Sequence, residues 1–455
     1  MTNHEMVMTE GSLWKKIFIF SLPLILSNLL QVLFNMSDIA VIGNFAGDIS
    51  LGAVGSCSTL VLLFTGFLIG MGNGVNVIIA KTIGLKDEKG IKEGVHTSFI
   101  LCLIIGFIIM GLGMSLSKPI LYILKTKEEL IDGAILYTSL YFIGMPAMAI
   151  YNWGNGIYSA KGNTKIPLIF LAIAGVINIV LNLIFVIALR LDVAGVAMAT
   201  FISQYISAIL IVISLIRTND YTNFSFKNLR IEKHKAKEIL LIGIPSGFQN
   251  AIFAIANLFI QSGVNTFDHI MVSGNSAAMN ADNLIFDVMT AFYTACSTFM
   301  SQNLGAGKKN RILKSYFISL LYSFLIAFIL GYGLVLFGRP FLHLFSNSDE
   351  VIDAGMKRLT IMGFCYCFSA FMDCTIAASR GLGKSLIPTF IVIMGSCVFR
   401  VIWVYTIFAY YKTFQALYLV YICSWVITAI FEIVYFAYVY KKAMKKFFPA
   451  EVNNI

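Results

Sequence analysis

Four polar side chains lie on one face of the first long apolar stretch of the chain. Asn28, Gln31, Asn35 and Asp38 follow i, i+3, i+7, i+10 spacing, which places them along one side of a helix. A carboxylate at the end of a row of amides can bind a proton or a hard cation such as Na+. For the amides, a hydrogen-bonded seam between helices and a functional role are equally open. Because a seam needs no charge, we expect Asp38 to carry the chemistry.

The composition of the chain places this polar stripe inside a lipid bilayer. Apolar residues make up 58% of the 455 residues and charged residues 12%, whereas a soluble domain carries about 25% charged residues. The apolar residues occur in blocks close to the roughly 20 residues that cross a hydrocarbon core as a helix. We predict twelve spans, with approximate bounds 15–42, 52–80, 95–117, 133–158, 166–189, 193–216, 239–264, 276–303, 315–338, 353–379, 386–410 and 414–440.

Basic residues are concentrated on one side of the predicted spans. With the N-terminus inside, 24 of the 33 Lys and Arg residues fall on that side, 8 fall in segments on the opposite side, among them Arg358, and Arg400 lies within a span. The positive-inside rule then predicts that both ends are cytoplasmic, in the cell membrane. This distribution also accounts for the net charge of +10, so no nucleic-acid partner is predicted.

The second half of the chain repeats the first. Pro23 aligns with Pro245 at an offset of 222 in the numbering. Two further landmarks match at an offset of 221, namely Gly84 with Gly305 and Gly162-Asn-Thr-Lys-Ile-Pro167 with Gly383-Lys-Ser-Leu-Ile-Pro388. We therefore predict an N-terminal six-helix lobe (1–217), a cytoplasmic linker (218–237) and a C-terminal six-helix lobe (238–455). Since six is even, the lobes form a parallel repeat, and in transporters built this way the site lies between the repeats.

Five stretches resemble, in the right order, the multidrug and toxic compound extrusion (MATE) family, and in particular its DinF-like bacterial branch. They are SLPLILSNLLQVLFNMSDIAVIG, GVAMATFISQ, QNLGAGKKNRI, SRGLGKSLIP and SCVFRVIW. The resemblance implies an all-α integral membrane protein whose two six-helix bundles form a V. It also implies an antiporter that exports organic compounds, commonly cationic or amphipathic, in exchange for H+ or Na+.

The resemblance also implies which residues surround Asp38. It places Asn178 and Asn182 of the fifth span and Thr200 of the sixth around this acid. Asn35, one turn before Asp38 on the same stripe, is added to this ion-coupling set from its spacing alone. Some family members have a second aspartate where this chain has Asn182. The remaining oxygens could still hold Na+, so a Na+ site at Asp38 stays open, but the missing charge favours protons.

The second half carries a different set of polar residues. Asn250, Asn257 and Gln261 repeat the stripe of the first span, but Ile260 stands where Asp38 would be. Arg400 either pairs internally with Asp373 or Asp287, or these charges recognise substrate. Glu432 lies nearer a helix end and is expected to snorkel towards the interface. The predicted substrate-binding set is Gln31, Gln249, Asn257, Asp287, Asp373 and Arg400.

Other classes of protein are disfavoured by missing motifs. Gly383-Lys384-Ser385 ends like a phosphate-binding loop, but Ala378 replaces the required first glycine, and no H-E-x-x-H is present, so we predict no enzyme. The eight cysteines form no C-x-x-C pair, and no cofactor or firm metal site is predicted beyond the coupling ion. A lipid-linked saccharide flippase of related fold is the alternative function. The expected partners are the bilayer and small molecules, with the chain a monomer.

Overall fold

The computed structural model describes residues 6–124 and 126–448, and regular secondary structure within them is helical throughout. Among these residues, ten helices are long and apolar enough to cross a membrane, and two bent pairs of shorter helices pass the same test. Counting each pair as one span gives the twelve spans that the sequence predicts. In chain order they are α1 (Leu13–Phe45), α2 (Gly47–Gly84), α3 (Glu88–Ile123), α4 (Glu128–Ile143 and Met145–Ala160), α5 (Lys165–Ala188), α6 (Asp192–Ile216), α7 (Lys233–Val264), α8 (His269–Gly305), α9 (Lys309–Leu342), α10 (Asp349–Gly363 and Tyr366–Gly381), α11 (Leu386–Tyr411) and α12 (Phe414–Phe447).

Polar side chains define where several of these helices begin. Asp87 accepts a hydrogen bond from the backbone N–H of Gly90 at the start of α3, and Asp268 accepts one from Met271 at the start of α8. Thr413 caps α12 in the same way. These caps satisfy backbone donors that the first turn of a helix leaves without a partner.

The internal repeat is visible in the backbone as well as in the sequence. The two segments of α4 meet at 44° and those of α10 at 51°. The helix widens to π-type hydrogen bonding at Leu183–Ala188 in α5 and at Val404–Phe408 in α11. Gly162 and Gly383, which occupy equivalent positions in the two halves, adopt φ values of 82° and 79° in the same interhelical turn, which favours glycine there. The predicted repeat is confirmed.

The described chain divides into two compact units. Unit 1 is formed mainly by Leu26–Ala251, and unit 2 by Met8–Ile25 together with the chain from Ile252 onwards. The unit boundaries fall inside α1 and α7. Each of these helices therefore contributes its N-terminal part to one unit and its C-terminal part to the other.

The core of unit 1 combines aromatic packing with close backbone contact. Phe64 meets Phe142 edge to face at 5.1 Å, and Phe99 meets Trp153 at 5.0 Å between ring centroids. The N-terminal part of α7 approaches α2 so closely that a Cβ on Gly70 would lie 2.2 Å from the backbone N of Gly247. Glycine is required at this contact because any side chain would separate the two helices.

The hydrophilic segment between α6 and α7 is packed onto unit 1. Phe224 is buried and contacts the rings of Trp153 and Phe99. The Lys161 ammonium forms an ion pair with Asp220. Burial opposes the charge of Asp220, yet hydrogen bonds from Lys161 and Thr222 and the charge of Lys161 hold the pKa of this carboxyl below its usual range. The predicted linker therefore has fixed contacts along its first part.

Unit 2 has its own core, in which α8, α10 and α12 pack together. The N-terminal part of α1 joins it through Ile17 and Phe20, both almost fully buried, and Phe20 meets Phe299 edge to face at 5.5 Å. Arg311 of α9 donates to the carbonyl oxygens of Met8 and Gly11, at 3.0 and 2.8 Å. These contacts fix the segment that precedes α1.

Candidate functional site

The structure brings Asp38 together with two of its predicted partners on α5. The Asn182 amide nitrogen Nδ2 donates to Asp38 Oδ1 and, at 3.3 Å, to Asn178 Oδ1. Asn182 is fully buried, Asn178 is 5% exposed and Asp38 is half-buried. All three residues belong to unit 1. We call Asp38, Asn178, Asn182 and Thr200 the Asp38 cluster.

Thr200 completes the cluster from α6. Its hydroxyl lies beside the Asp38 carboxyl and donates to the carbonyl oxygen of Val196 at 2.9 Å. Its oxygen lone pairs therefore remain available to a proton donor or a cation. Two tyrosines of α4, Tyr137 and Tyr141, lie near Asp38 as well. Neither tyrosine was among the predicted site residues, although their i, i+4 spacing on a predicted span indicates a shared face.

The close approach of α1 and α5 depends on Gly175. A Cβ at this position would lie 1.8 Å from Cζ of Phe34. Phe34 precedes Asp38 by about one turn, and Gly175 precedes Asn182 by about two. The ring of Phe34 resting on the bare backbone of Gly175 therefore sets the register at which Asp38 meets Asn182.

One buried acceptor in the cluster has no donor. Oδ1 of Asn182 is fully buried and makes no hydrogen bond within the described part of the chain. Leaving such an atom without a partner costs about 1–3 kcal/mol. The cluster also offers oxygens from a carboxylate, an amide and a hydroxyl, and these are suitable ligands for a proton or for one Na+. Among residues 6–124 and 126–448, no group of three His, Cys, Asp or Glu side chains is arranged to hold a metal ion.

The remaining predicted residues of the first half lie outside the Asp38 cluster. Asn35 and Gln31 are exposed, and neither joins the hydrogen bonds of the cluster. Gln249 is buried in the N-terminal part of α7, in unit 1. Asp38, which is half-buried, contacts Asn182 of α5, whereas Gln31 and Asn35 of the same stripe are exposed.

In unit 2, Arg400 is surrounded by uncharged partners. It is 2% exposed and donates from Nε to Ser424 Oγ at 3.2 Å and from Nη1 to Asn257 Oδ1 at 3.3 Å. Its guanidinium carbon lies 4.6 Å from the ring centroid of Tyr421 and 5.7 Å from that of Phe253. Within the described residues, Arg400 forms no ion pair with Asp373 or Asp287, so the structure does not show the internal pairing that was one of the two alternatives. Ring faces and neutral acceptors occupy the space around the guanidinium instead.

The acids of unit 2 occupy different environments. Asp287 in α8 and Asp373 in α10 are half-buried, and Asp373 is attracted electrostatically by Arg380 and, less strongly, by Arg400. Glu432 is fully buried, so the prediction that it snorkels is wrong. The reason is that α12 extends to Phe447, which places Glu432 about four turns from the helix end.

A second buried polar network in unit 2 was not predicted. Arg358 forms an ion pair with Asp282, and the Tyr366 hydroxyl donates to the same carboxylate. Asn275 Oδ1 accepts from Arg358 and from the Tyr418 hydroxyl. Arg358 is 2% exposed within α10, so its assignment to an extramembrane segment is corrected. The structure starts α10 at Asp349, which places Arg358 more than two turns inside the helix.

Comparison with known proteins agrees with the repeat. The MatE family model matches the chain twice, over residues 23–184 and 245–406. The two matches begin at Pro23 and Pro245, which are the two prolines that the alignment of the halves brings together.

Individual relatives and solved structures agree with the family match. The probable multidrug resistance protein YpnP of Bacillus subtilis is 31% identical over 79% of this chain and 80% of its own length. The FAD transporter of Shewanella oneidensis is 24% identical over 73% of this chain and 74% of its own. A MOP superfamily transporter from Pyrococcus furiosus has the same fold, with a TM-score of 0.89 at 23% identity over 96% of this chain and 98% of its own.

Proposed function

Because this chain belongs to the MatE family of membrane transporters, we propose that it is a secondary antiporter that exports amphipathic, commonly cationic organic compounds in exchange for protons. The observation that carries the proposal is the hydrogen-bonded Asp38 cluster. It places an acid, buried amides and a hydroxyl together inside one repeat, while Ile260 occupies the position of Asp38 in the other repeat. The relative named as a probable multidrug resistance protein supports drug export.

The orientation of Asn182 favours protons over Na+ as the coupling ion. Its N–H donors point at the oxygens of Asp38 and Asn178, so an internal donor occupies the position from which a cation would contact them. A Na+ ion would need this amide to turn and at least three oxygens to converge. A proton needs only the carboxylate oxygen of Asp38.

Protonation of Asp38 would then change the hydrogen bond with Asn182. The neutral carboxyl is a weaker acceptor and becomes a donor, while the Oδ1 atom of Asn182 is a buried acceptor that no described residue satisfies. Rotation of the amide would let the Asp38 O–H donate to this oxygen. The coupling step is therefore a proton on Asp38 linked to a reorientation of Asn182, which repacks α1 against α5.

This local step drives transport only if the two conformations differ in their affinity for the proton. We propose that the deprotonated cluster is the form that retains a cationic substrate, because its negative charge attracts the substrate. Protonation removes this charge and favours release. Export and proton entry are thereby linked through one acid.

The orientation of the chain is part of the proposal. We propose a monomer in the cell membrane with both termini in the cytoplasm, because basic residues are concentrated on that side. The burial of Arg358 removes one charge from the opposite side and strengthens the bias. Protons then enter from the outer side, down their gradient.

Efflux from proteoliposomes tests the proposal. We expect Asp38→Asn to lower transport of a fluorescent cation driven by a pH gradient at least about tenfold, as is typical when a proton-transferring group is removed. The isosteric amide preserves packing, so the protein should elute normally from a sizing column. Asp48→Asn, an exposed acid near the start of α2, is the matched control and should transport like the wild type.

The ion dependence separates protons from Na+. The wild type should respond to a pH gradient in Na+-free buffer, and an imposed Na+ gradient at constant pH should have little effect. Transport at the wild-type rate by Asp38→Asn would show that this acid is not the coupling group.

A further inference from the structure

Among the residues that the structure describes, no carboxylate makes direct contact with the buried positive charge of Arg400. Its Nε and Nη1 atoms donate to the neutral oxygens of Ser424 and Asn257. Its remaining nitrogen, Nη2, donates to no residue in the part of the chain that the structure describes. Removing an ion from water costs several kcal/mol unless a counter-charge and hydrogen bonds compensate for the loss. Because Nη2 has no acceptor among the described residues, the Arg400 guanidinium is suited to bind an anionic group of a ligand.

The nearby acid Asp373 compensates this charge only partly. It acts on Arg400 at a distance beyond a direct ion pair, and Arg380 attracts it more strongly. The carboxylate of Asp373 is therefore shared between two arginines. It lowers the cost of burying Arg400 but leaves the donor edge of the guanidinium without a charged acceptor.

The surroundings of Arg400 suit a flat organic anion. The rings of Tyr421 and Phe253 lie 4.6 and 5.7 Å from the guanidinium carbon, and such faces also stack on aromatic ligands. Asn257, which accepts from Nη1, is exposed. A carboxylate could therefore reach the guanidinium by displacing the Asn257 oxygen, and its second oxygen would accept from Nη2 in the bidentate geometry that arginine favours.

We propose that Arg400 binds a carboxylate group of the transported compound and so determines how strongly this chain prefers a zwitterion to the matching plain cation. The inference rests on the proposed export function and adds a determinant of substrate choice. Asp373 supplies negative charge near the same place for the cationic end of such a compound. The bound carboxylate would compensate the positive charge of the buried guanidinium. A zwitterion would therefore make a contact that a plain cation cannot make.

Two dyes that differ at a single group test this proposal. A carboxylated rhodamine is a zwitterion at neutral pH, and its methyl ester is a cation of nearly the same shape. We expect Arg400→Met to lower both transport and equilibrium binding of the zwitterion at least about tenfold, because a charge-assisted bidentate contact is lost. The ester should change by less than about twofold. Arg400→Lys should retain part of the preference, since it keeps the charge but not the planar fork.

Controls separate recognition from folding. Arg339→Met, at an exposed arginine of α9, should leave both dyes unchanged, and every variant should be monodisperse in detergent. Binding is measured by fluorescence anisotropy of the dyes on purified protein. An equal loss for both dyes would mean that Arg400 is only structural and would overturn the proposal, as would a wild type that binds the ester but not the zwitterion.

Failure of the proposed function gives a different result. If the wild type moves neither dye under a pH or Na+ gradient, the export proposal fails. The ratio of the two binding constants in wild type and Arg400→Met then still decides whether Arg400 recognises a carboxylate.

Discussion

The Asp38 cluster depends on a residue that carries no chemistry. Gly175 lets the ring of Phe34 lie on the backbone of α5, and this contact sets the distance between α1 and α5. A methyl group at Gly175 would overlap the ring and push the two helices apart or force Phe34 to rotate. Since the hydrogen bond between Asn182 and Asp38 is short-range, a shift of about 1 Å is enough to weaken it.

We expect Gly175→Ala to lower proton-driven transport about tenfold, because misplacement of a catalytic group by about 1 Å can cost up to a hundredfold. Phe34→Leu should restore most of the rate when combined with Gly175→Ala, since it frees the space that the methyl group needs. Gly111→Ala in α3, where a Cβ has no neighbour within 4 Å, is the control. The measurement is initial efflux rate under a pH gradient, and a double variant no better than Gly175→Ala would contradict this steric explanation.

Part of this site could be predicted from the sequence and part could not, for physical reasons. The i, i+3, i+7, i+10 spacing places Asp38 on a polar face, and the family resemblance points to Asn178, Asn182 and Thr200. Spacing cannot show how far along that face a neighbouring helix extends, so Asn35 was assigned to a cluster that it does not join. Tyr137 was missed because its ring is apolar apart from one hydroxyl.

At the scale of helices, the two repeats differ in the charges that their matching helices carry. Arg358 of α10 occupies the position in the second repeat that Tyr137 of α4 occupies in the first, so the position beside Asp38 in unit 1 corresponds to an arginine paired with Asp282 in unit 2. The arginine holds a permanent positive charge at pH 7. The Arg358–Asp282 ion pair of unit 2 therefore keeps its arginine charged at pH 7. Asp38 of unit 1, in contrast, can be neutralised by a proton.

We expect Asp282→Leu to destabilise the protein by about 3–5 kcal/mol, because it leaves the Arg358 guanidinium buried without its carboxylate. The double variant Arg358→Met/Asp282→Leu should regain most of the loss, since no buried charge remains. The measurement is thermal unfolding in detergent followed by intrinsic fluorescence. Asp353→Asn, which removes an exposed partner of Arg339, should shift the curve very little; a double variant as unstable as Asp282→Leu would contradict the argument.

The segment between α6 and α7 offers a prediction that depends on pH. The pKa of Asp220 is held below its usual range by Lys161 and Thr222, so the ion pair stabilises the fold above the unfolded pKa of about 3.9. This stabilisation is lost as the pH falls through the lower, folded pKa. Asp220→Asn should therefore cost about 1–3 kcal/mol at neutral pH, and its deficit should disappear on acidification.

The difference in unfolding temperature between the wild type and Asp220→Asn, measured from pH 7 to pH 3, checks this expectation. The exposed variant Asp48→Asn should show no such trend. A deficit that stays constant down to pH 3 would mean that the charge of Asp220 is not what stabilises this segment.

At the scale of the whole molecule, hydropathy and repetition predicted twelve spans and a parallel repeat, and both are confirmed. These features depend on the length and composition of each segment, and the sequence shows both directly. Which unit each part of a helix packs into depends on how well its side chains fit those of helices that are distant in the sequence. Nothing in the pattern of α1 or α7 signals that the boundary between the units falls within each of them, after Ile25 and after Ala251.

That division within α1 and α7 has a consequence for biosynthesis. Met8–Ile25 leave the ribosome first but belong to unit 2, whose remaining residues begin at Ile252. At about 5–20 residues per second, the early segment waits roughly 10–45 s before its packing partners are synthesised. Unit 1, by contrast, needs no residue made after Ala251, so it can finish folding while unit 2 is still being synthesised. Unit 2 is therefore expected to mature last, and its earliest segment, Met8–Ile25, must stay unpaired with the rest of unit 2 while unit 1 folds.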